Sequence, residues 1–345
     1  MLYVTTRGKN DVYTPARTLQ MDRGSDGGFF VPFRMPQFSR DDLNELMTYK
    51  PSQNIANTLN LLLGTKVTDW EVEIALGRTC FSIKDVGHKL SIVELWHNRK
   101  GRFVSAITEL CQTLHPDGDI IGKPSDWLQM SVRIAVMIGI MTELMQSGQV
   151  TVHTPINVAL AGNDFAQAMA VWYVRKMGLP IGDIIIGCNE NAAAWDLLTH
   201  GELNTGARVI PTNTPEGDFA VPPCIERLIH GACDQAQAMN LCWSMEEKDT
   251  YRPDEEAWEQ IRTGMFASVI SKARLSIVIP SVYRSLDYTM DLYTALGYAA
   301  LSDYRSKTGD GTPTLLISEN SPLFHADEVA SYMHISVDEL KSRVN

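Results

Sequence analysis

The segment VTVHTPINVALAGNDFAQAMAVWYVRKMGLPIGDIIIGCNEN, residues 150–191, restricts the fold more than any other part of the chain. INVAL is a short apolar run of the kind that makes a strand buried on both faces, and AGN is a glycine turn. DFAQAMAVWYVRKM carries apolar residues at helical spacing and stops at Gly178. DIIIGCNEN is the next buried strand. A buried strand, a crossover helix and a second buried strand make a βαβ unit with parallel pairing. The pattern predicts an α/β fold, a parallel β-sheet flanked by helices.

The flanking regions fit around that unit. YVTTRG and GGFFVP are short strand-like pieces near the N-terminus, separated by turn signals. Ser39 reads as an N-cap and Pro51 as a second helix start, so residues 41–64 are expected to be helical and to pack outside a larger core. Cys80 to Trp96 is strand-like. A basic turn, HNRKGR, then leads into a helical pattern. A loop, His115–Trp127, precedes a long apolar helix, Trp127–Met145. Further helices are expected over 220–245, with Pro223 near the N-terminus, and over 286–307. Residues 246–261 read as acidic and solvated. TLLIS, within GTPTLLISENSP, is a further buried strand, and short helices close the chain.

Composition removes whole classes of function. A net charge of −11 over 345 residues disfavours nucleic acid as a partner, because phosphate binding needs a basic face. The apolar run Val132–Met145 contains Arg133 and Glu143 and is too short to suggest a membrane span. None of the six cysteines forms a CxxC pair, and the nine-residue spacing of Cys224, Cys233 and Cys242 lacks tetrahedral zinc geometry. Reduced thiols, no metal and a cytoplasmic location are the expectations.

Several runs, in order, resemble the threonine synthases, pyridoxal-phosphate (PLP) enzymes of fold type II in the tryptophan-synthase-β superfamily. YVTTRG…DGGFFVP is similar to that family's opening, and VELWH to its LELFHGPT. AGNDFAQAMAVWYVRKMGLPIGDIIIGCNEN is similar to GNFGN…AKKMGLPI…ATNEN, PPCIERLI to SNFERL, and DLYTALGYAA to DPHTAVGYAA. The resemblance runs from Tyr3 to the C-terminal region. It implies a fold-type-II large α/β domain over residues 80–345, preceded by a threonine-synthase-type extension over 1–79.

Chemistry of that type needs a Schiff-base lysine, glycines that free backbone N–H groups for the phosphate, and a partner for the pyridine nitrogen. Laid on ELFHGPTLAFKD, the run ELWHNRKGRFVS puts Val104 at the lysine's place, and valine forms no imine. Lys100, one helical turn earlier, is either a substitute amine or a solvated cation beside Arg99 and Arg102. The phosphate loop keeps Gly162 and Asn163 but carries Asp164, whose charge opposes a phosphate and suits a helix N-terminus. Glu319 stands at the pyridine partner's position, where a carboxylate can pair with a pyridinium or simply end a strand. The SGDTG loop is missing, and the connector near 106–125 is too short for the family's small domain.

The sequence reading is therefore a degenerate relative, without bound cofactor unless PLP is held noncovalently or through Lys100. It acts as a noncatalytic binding or scaffold protein in amino-acid metabolism. A homo-oligomer or protein partner is expected on the surface left by the small domain. A small anionic ligand is the other candidate partner, held by Arg99, Lys100, Arg102 and Asp164. Two alternatives stay open. One is new chemistry in the old cleft, with His97 or Lys100 as the reactive group. The other is a residual PLP-dependent lyase acting on a phosphate ester through Lys100.

Overall fold

A computed structural model describes residues 1–8, 11–77, 81–97, 103–113, 124–163 and 165–344. Six strands form the central sheet: Ser82–Asp85 (β1), Leu90–Glu94 (β2), Ile156–Ala161 (β3), Ile181–Cys188 (β4), Met265–Val269 (β5) and Thr314–Ser318 (β6). Their spatial order is β1-β2-β6-β3-β4-β5, parallel throughout except β1, which pairs antiparallel with β2. The βαβ unit is as the pattern predicts. β3 and β4 pair directly, and the intervening helix, Ala166–Lys176, stops before Gly178 at φ +101°.

Alternation along the strands explains the two layers. Leu315 and Ile317 of β6 enter a cluster on one face, with Val158, Leu160, Ile184 and Ile186. Leu316 points to the other face, with Ala159 and Ile185. The first face is covered by Pro51–Leu63 (α1), Phe103–Thr113 (α2), Asp126–Gln146 (α3) and Ala166–Lys176 (α4). The second is covered by Lys272–Leu286 (α7) and Leu292–Thr308 (α8). Between them in sequence lie Ala193–His200 (α5) and Ile225–Ala232 (α6).

Ser39 caps Arg40–Leu46 with a capping box, and Pro51 opens α1, as the sequence predicts. The expected position of this region outside the core is corrected. Ile55, Ala56, Leu59, Leu62 and Leu63 are buried in the larger cluster together with α3. The segment therefore builds the core. α3 is long and apolar enough to cross a bilayer, but 83% of its apolar window is buried by protein, so it serves here as a core helix.

Three further boundaries move. Residues 220–245 split into α6 and a second helix, Gln235–Glu247, capped by Asp234. Residues 246–261 are not wholly solvated: Glu255–Arg262 is a helix that buries Ala257 and Ile261. The helix expected from Leu286 starts at Leu292, because Asp291 accepts from the backbone N–H groups of Tyr293 and Thr294 and fixes the first turn there. The N-terminal pieces pair as an antiparallel ribbon, Tyr3–Thr5 with Phe30–Pro32.

The ribbon is bound to the rest by buried charge. Arg227 of α6 is fully buried. It donates to Asp126 at the start of α3 and to the Phe30 carbonyl, and lies 4.5 Å from the Phe29 ring centroid. The neighbouring Glu226 accepts two hydrogen bonds from Arg7, at 3.0 and 3.1 Å, and one from Thr6.

Candidate functional site

The parallel strands end together, and the residues that follow them converge. β2 delivers Glu94, Leu95, Trp96 and His97; β3 delivers Gly162 and Asn163; β6 delivers Ser318 and Glu319. Open parallel sheets bind ligands at this edge. Here it holds a cavity of about 380 Å³, lined by Leu95, Val104, Thr108, Gln129, Arg133 and Glu319, among others. Val104 sits in the first turn of α2. Glu319 reaches the cavity from the end of β6, so these two predicted residues are brought together. Arg99, Lys100, Arg102 and Asp164 lie outside the described residues.

Gln129 and Arg133 are the residues that sequence reasoning passed over. They stand one turn apart on α3 and face the cavity from an otherwise buried helix. Two polar side chains at i, i+4 in an apolar run were the available signal. Arg133 was read only as an interruption of hydrophobicity.

His97 does not line this cavity. Its Nε2 lies 2.7 Å from Glu94 Oε2, and its ring stacks on Trp96 at 3.8 Å. Glu94 is 1% exposed and also accepts from Tyr288 (2.9 Å) and Lys84 (2.9 Å). A buried carboxylate with three donors is a well-satisfied anchor. It makes His97 a positioned side chain and ties β1, β2 and the loop before α8 together.

Gly162 and Asn163 line a different space, with Cys188, Ala192–Ala194, Thr214 and Tyr293, of only about 10 Å³. A second space, also about 10 Å³, shares Asn163 and Tyr293 with the first and is further lined by Gln167, Thr294 and Glu319. Each is about the room one water needs. Gln167 Oε1 and the Tyr293 hydroxyl both line that second space, are buried, and have no hydrogen-bond partner among the described residues.

Asp291 lies below this region. It is buried, and its side chain takes hydrogen bonds from Thr294 and the helix backbone. Burial pushes its carboxyl up to about 7; those hydrogen bonds oppose the shift and the charge of Glu319 adds to it. The folded value exceeds the unfolded one, near 3.9. The stability this group contributes is therefore fully present below about pH 4 and lost as pH rises through 7. Asp291→Asn keeps an N-cap acceptor and should flatten that decline. Relative to the parent, the variant is expected to gain on the order of 2–4 kcal/mol between pH 4 and pH 7. Urea unfolding at several pH values checks this; a pH-independent difference would show that the carboxyl does not titrate in that window.

The whole architecture matches solved threonine synthases. The PLP-bound enzyme from Brucella melitensis superposes with a TM-score of 0.83, at 16% identity, over 97% of this chain and 92% of that one. The yeast enzyme superposes with a TM-score of 0.82, at 15% identity, over 99% and 93%. In sequence the human protein Threonine synthase-like 1 is 21% identical over 186 residues. The chain is similar to the threonine synthases in fold and over part of its sequence. The human match covers 53% of this chain but 25% of that protein. Threonine synthase of Pseudomonas aeruginosa is 24% identical over 156 residues, 44% of this chain and 33% of the enzyme. The matched part thus spans well under two thirds of these curated relatives. No family model matches.

With the threonine synthase fold in view, the fit of PLP can be tested on the residues present. Among the described residues no lysine lines any of these three spaces, and Val104 lies in the wall of the first. The space over Gly162, about 10 Å³, has room for about one water and not for a phosphate. The described residues of this threonine-synthase-like chain do not fit a covalently held cofactor.

Proposed function

We propose that this chain keeps the threonine synthase scaffold without its Schiff-base chemistry and works as a noncatalytic binding protein. The observation that carries the reading is Val104, an aliphatic side chain in the wall of the strand-end cavity at the lysine's register. Closure of the space over Gly162 supports it, and so does the connector: only residues 114–125 lie between α2 and α3, too few for the family's small domain. The 380 Å³ cavity, which Glu109 and Glu319 line together with Arg133, is the site we assign to a small polar ligand, with Gln129 and Thr108 as hydrogen-bonding side chains. The surface released by the small domain is where a second copy or another protein docks. Sedimentation velocity at micromolar concentration is expected to show a species larger than the monomer.

Two measurements test the loss of chemistry. Incubation with PLP, reduction with borohydride and intact-mass analysis should give no phosphopyridoxyl adduct. The gene should also fail to support growth without threonine in a bacterium lacking threonine synthase. An adduct on Lys100 together with growth would overturn the reading in favour of a residual lyase.

A further inference from the structure

Residues of an extended stretch point alternately to opposite sides. Leu95 faces the cavity described above. Glu94 and Trp96 face the other way and line a separate cavity of about 220 Å³, which shares no residue with the first. Its walls come from parts of the chain far apart in sequence: Lys84 on β1, Tyr283 and Asp287 at the end of α7, Tyr288 beyond it, and Arg343 on the helix Val337–Val344.

The polar groups here carry both signs of charge. Glu94 forms the floor, and its charge is satisfied by Lys84, Tyr288 and His97. The Lys84 side chain is half exposed, and its ammonium carries three N–H groups, so it retains donors for a ligand. The Arg343 guanidinium stacks on Tyr283 at 4.4 Å and gives one nitrogen to Glu339 at 2.5 Å, leaving further N–H groups. Asp287 caps α7 at φ 50°, is exposed, and its carboxylate has no hydrogen-bond partner among the described residues.

Two cations and an acid with no partner among the described residues line a cavity that also has aromatic residues in its walls. A plain anion would meet Asp287 and Glu94, and a plain cation would meet Lys84 and Arg343. A zwitterion satisfies both signs, and a flat apolar side chain suits Trp96 and Tyr283. The volume, about 220 Å³, lies below the range of about 300–1,000 Å³ usual for drug-sized ligands and suits a ligand of amino-acid size. We propose that this cavity binds an aromatic α-amino acid. Its carboxylate lies between Lys84 and Arg343, its ammonium on Asp287, and its ring against Trp96 and Tyr283. The proposal does not depend on the loss of Schiff-base chemistry, since none of these groups belongs to the first cavity.

Isothermal titration calorimetry on the full chain tests it, with L-phenylalanine as the probe. Saturable binding at one site is expected. Phenethylamine, which lacks the carboxylate, and 3-phenylpropionate, which lacks the ammonium, should each bind at least about tenfold more weakly. Arg343→Gln and Asp287→Asn should each weaken L-phenylalanine by a similar factor, whereas Arg262→Ala, on a distant surface, should not change it. Asp287 is exposed, so its variant folds even if the Arg343 variant does not. Absence of saturable heat at millimolar ligand would overturn the site, as would equal binding of the two analogues or an unchanged affinity in Asp287→Asn.

Discussion

Arg227→Met is expected to destabilise the protein by about 3–5 kcal/mol, the range for removing one member of a buried ion pair. The guanidinium is fully buried and serves three groups at once: Asp126 at the N-terminus of α3, the Phe30 carbonyl of the N-terminal ribbon, and the Phe29 ring beside it. Methionine fills similar volume but donates nothing, so the Phe30 carbonyl loses a donor and Asp126 loses its counter-charge. The Asp126 side chain is 27% exposed and can be partly rehydrated, which places the loss toward the lower end. Urea unfolding followed by circular dichroism should show a lower midpoint at unchanged slope. Adding Asp126→Asn should recover part of the loss, because it removes the orphaned charge. A loss under about 1 kcal/mol, typical of a surface pair, would mean that Arg227 is not the clamp between α3, α6 and the ribbon.

Gly187→Ala is the second large effect. Gly187 lies near the end of β4, where α8 crosses the sheet. A Cβ there would stand 2.2 Å from the Leu296 carbonyl oxygen and 2.9 Å from the Gly297 nitrogen. Both obstacles are backbone, so no rotamer change relieves the clash; the helix must move off the strand. Gly297 meets Leu160 in the same way, at 3.0 Å. Overpacking of this kind costs about 1–3 kcal/mol and sometimes more, and two elements held backbone to backbone belong at the upper end. The measurement is thermal and urea unfolding of the purified variant. A stability equal to the parent's would mean that α8 can lift from the sheet at little cost, and the closed space beside Tyr293 would then be open to a ligand.

Periodicity made the βαβ unit readable because INVAL, broken only by Asn157, and the three isoleucines of DIIIGC are apolar runs and the helix between them ends on a glycine. It failed where burial was uneven. Met265–Val269, MFASV, has only Ala267 buried, so its alternation does not single out β5 as a core strand. α7 contains Pro280, which argues against a helix interior by ordinary rules. The start of α8 was set by the side chain of Asp291, a capping contact that apolar spacing alone does not place. At the site, Val104 and Glu319 could be found from motif register. Gln129 and Arg133 could not be assigned until the fold turned one face of α3 toward the strand ends. The partners of His97 were equally hidden, since Lys84 and Tyr288 lie 13 residues before and 191 after it and meet only through Glu94.

β6 occupies the middle of the sheet, between β2 and β3, although it is formed by residues 314–318. During synthesis β2 and β3 leave the ribosome more than 150 residues before the strand that will lie between them. Until then both present unpaired edges of apolar residues, Ile92 and Val93 on one and Val158 and Leu160 on the other. Such edges are templates for aggregation, and contacts so distant in sequence form slowly. The nascent chain is thus a better client for a chaperone than the finished fold. A ribosome-stalled fragment ending before residue 314 should be sensitive to protease across residues 90–161, with protection appearing only once TLLIS has emerged.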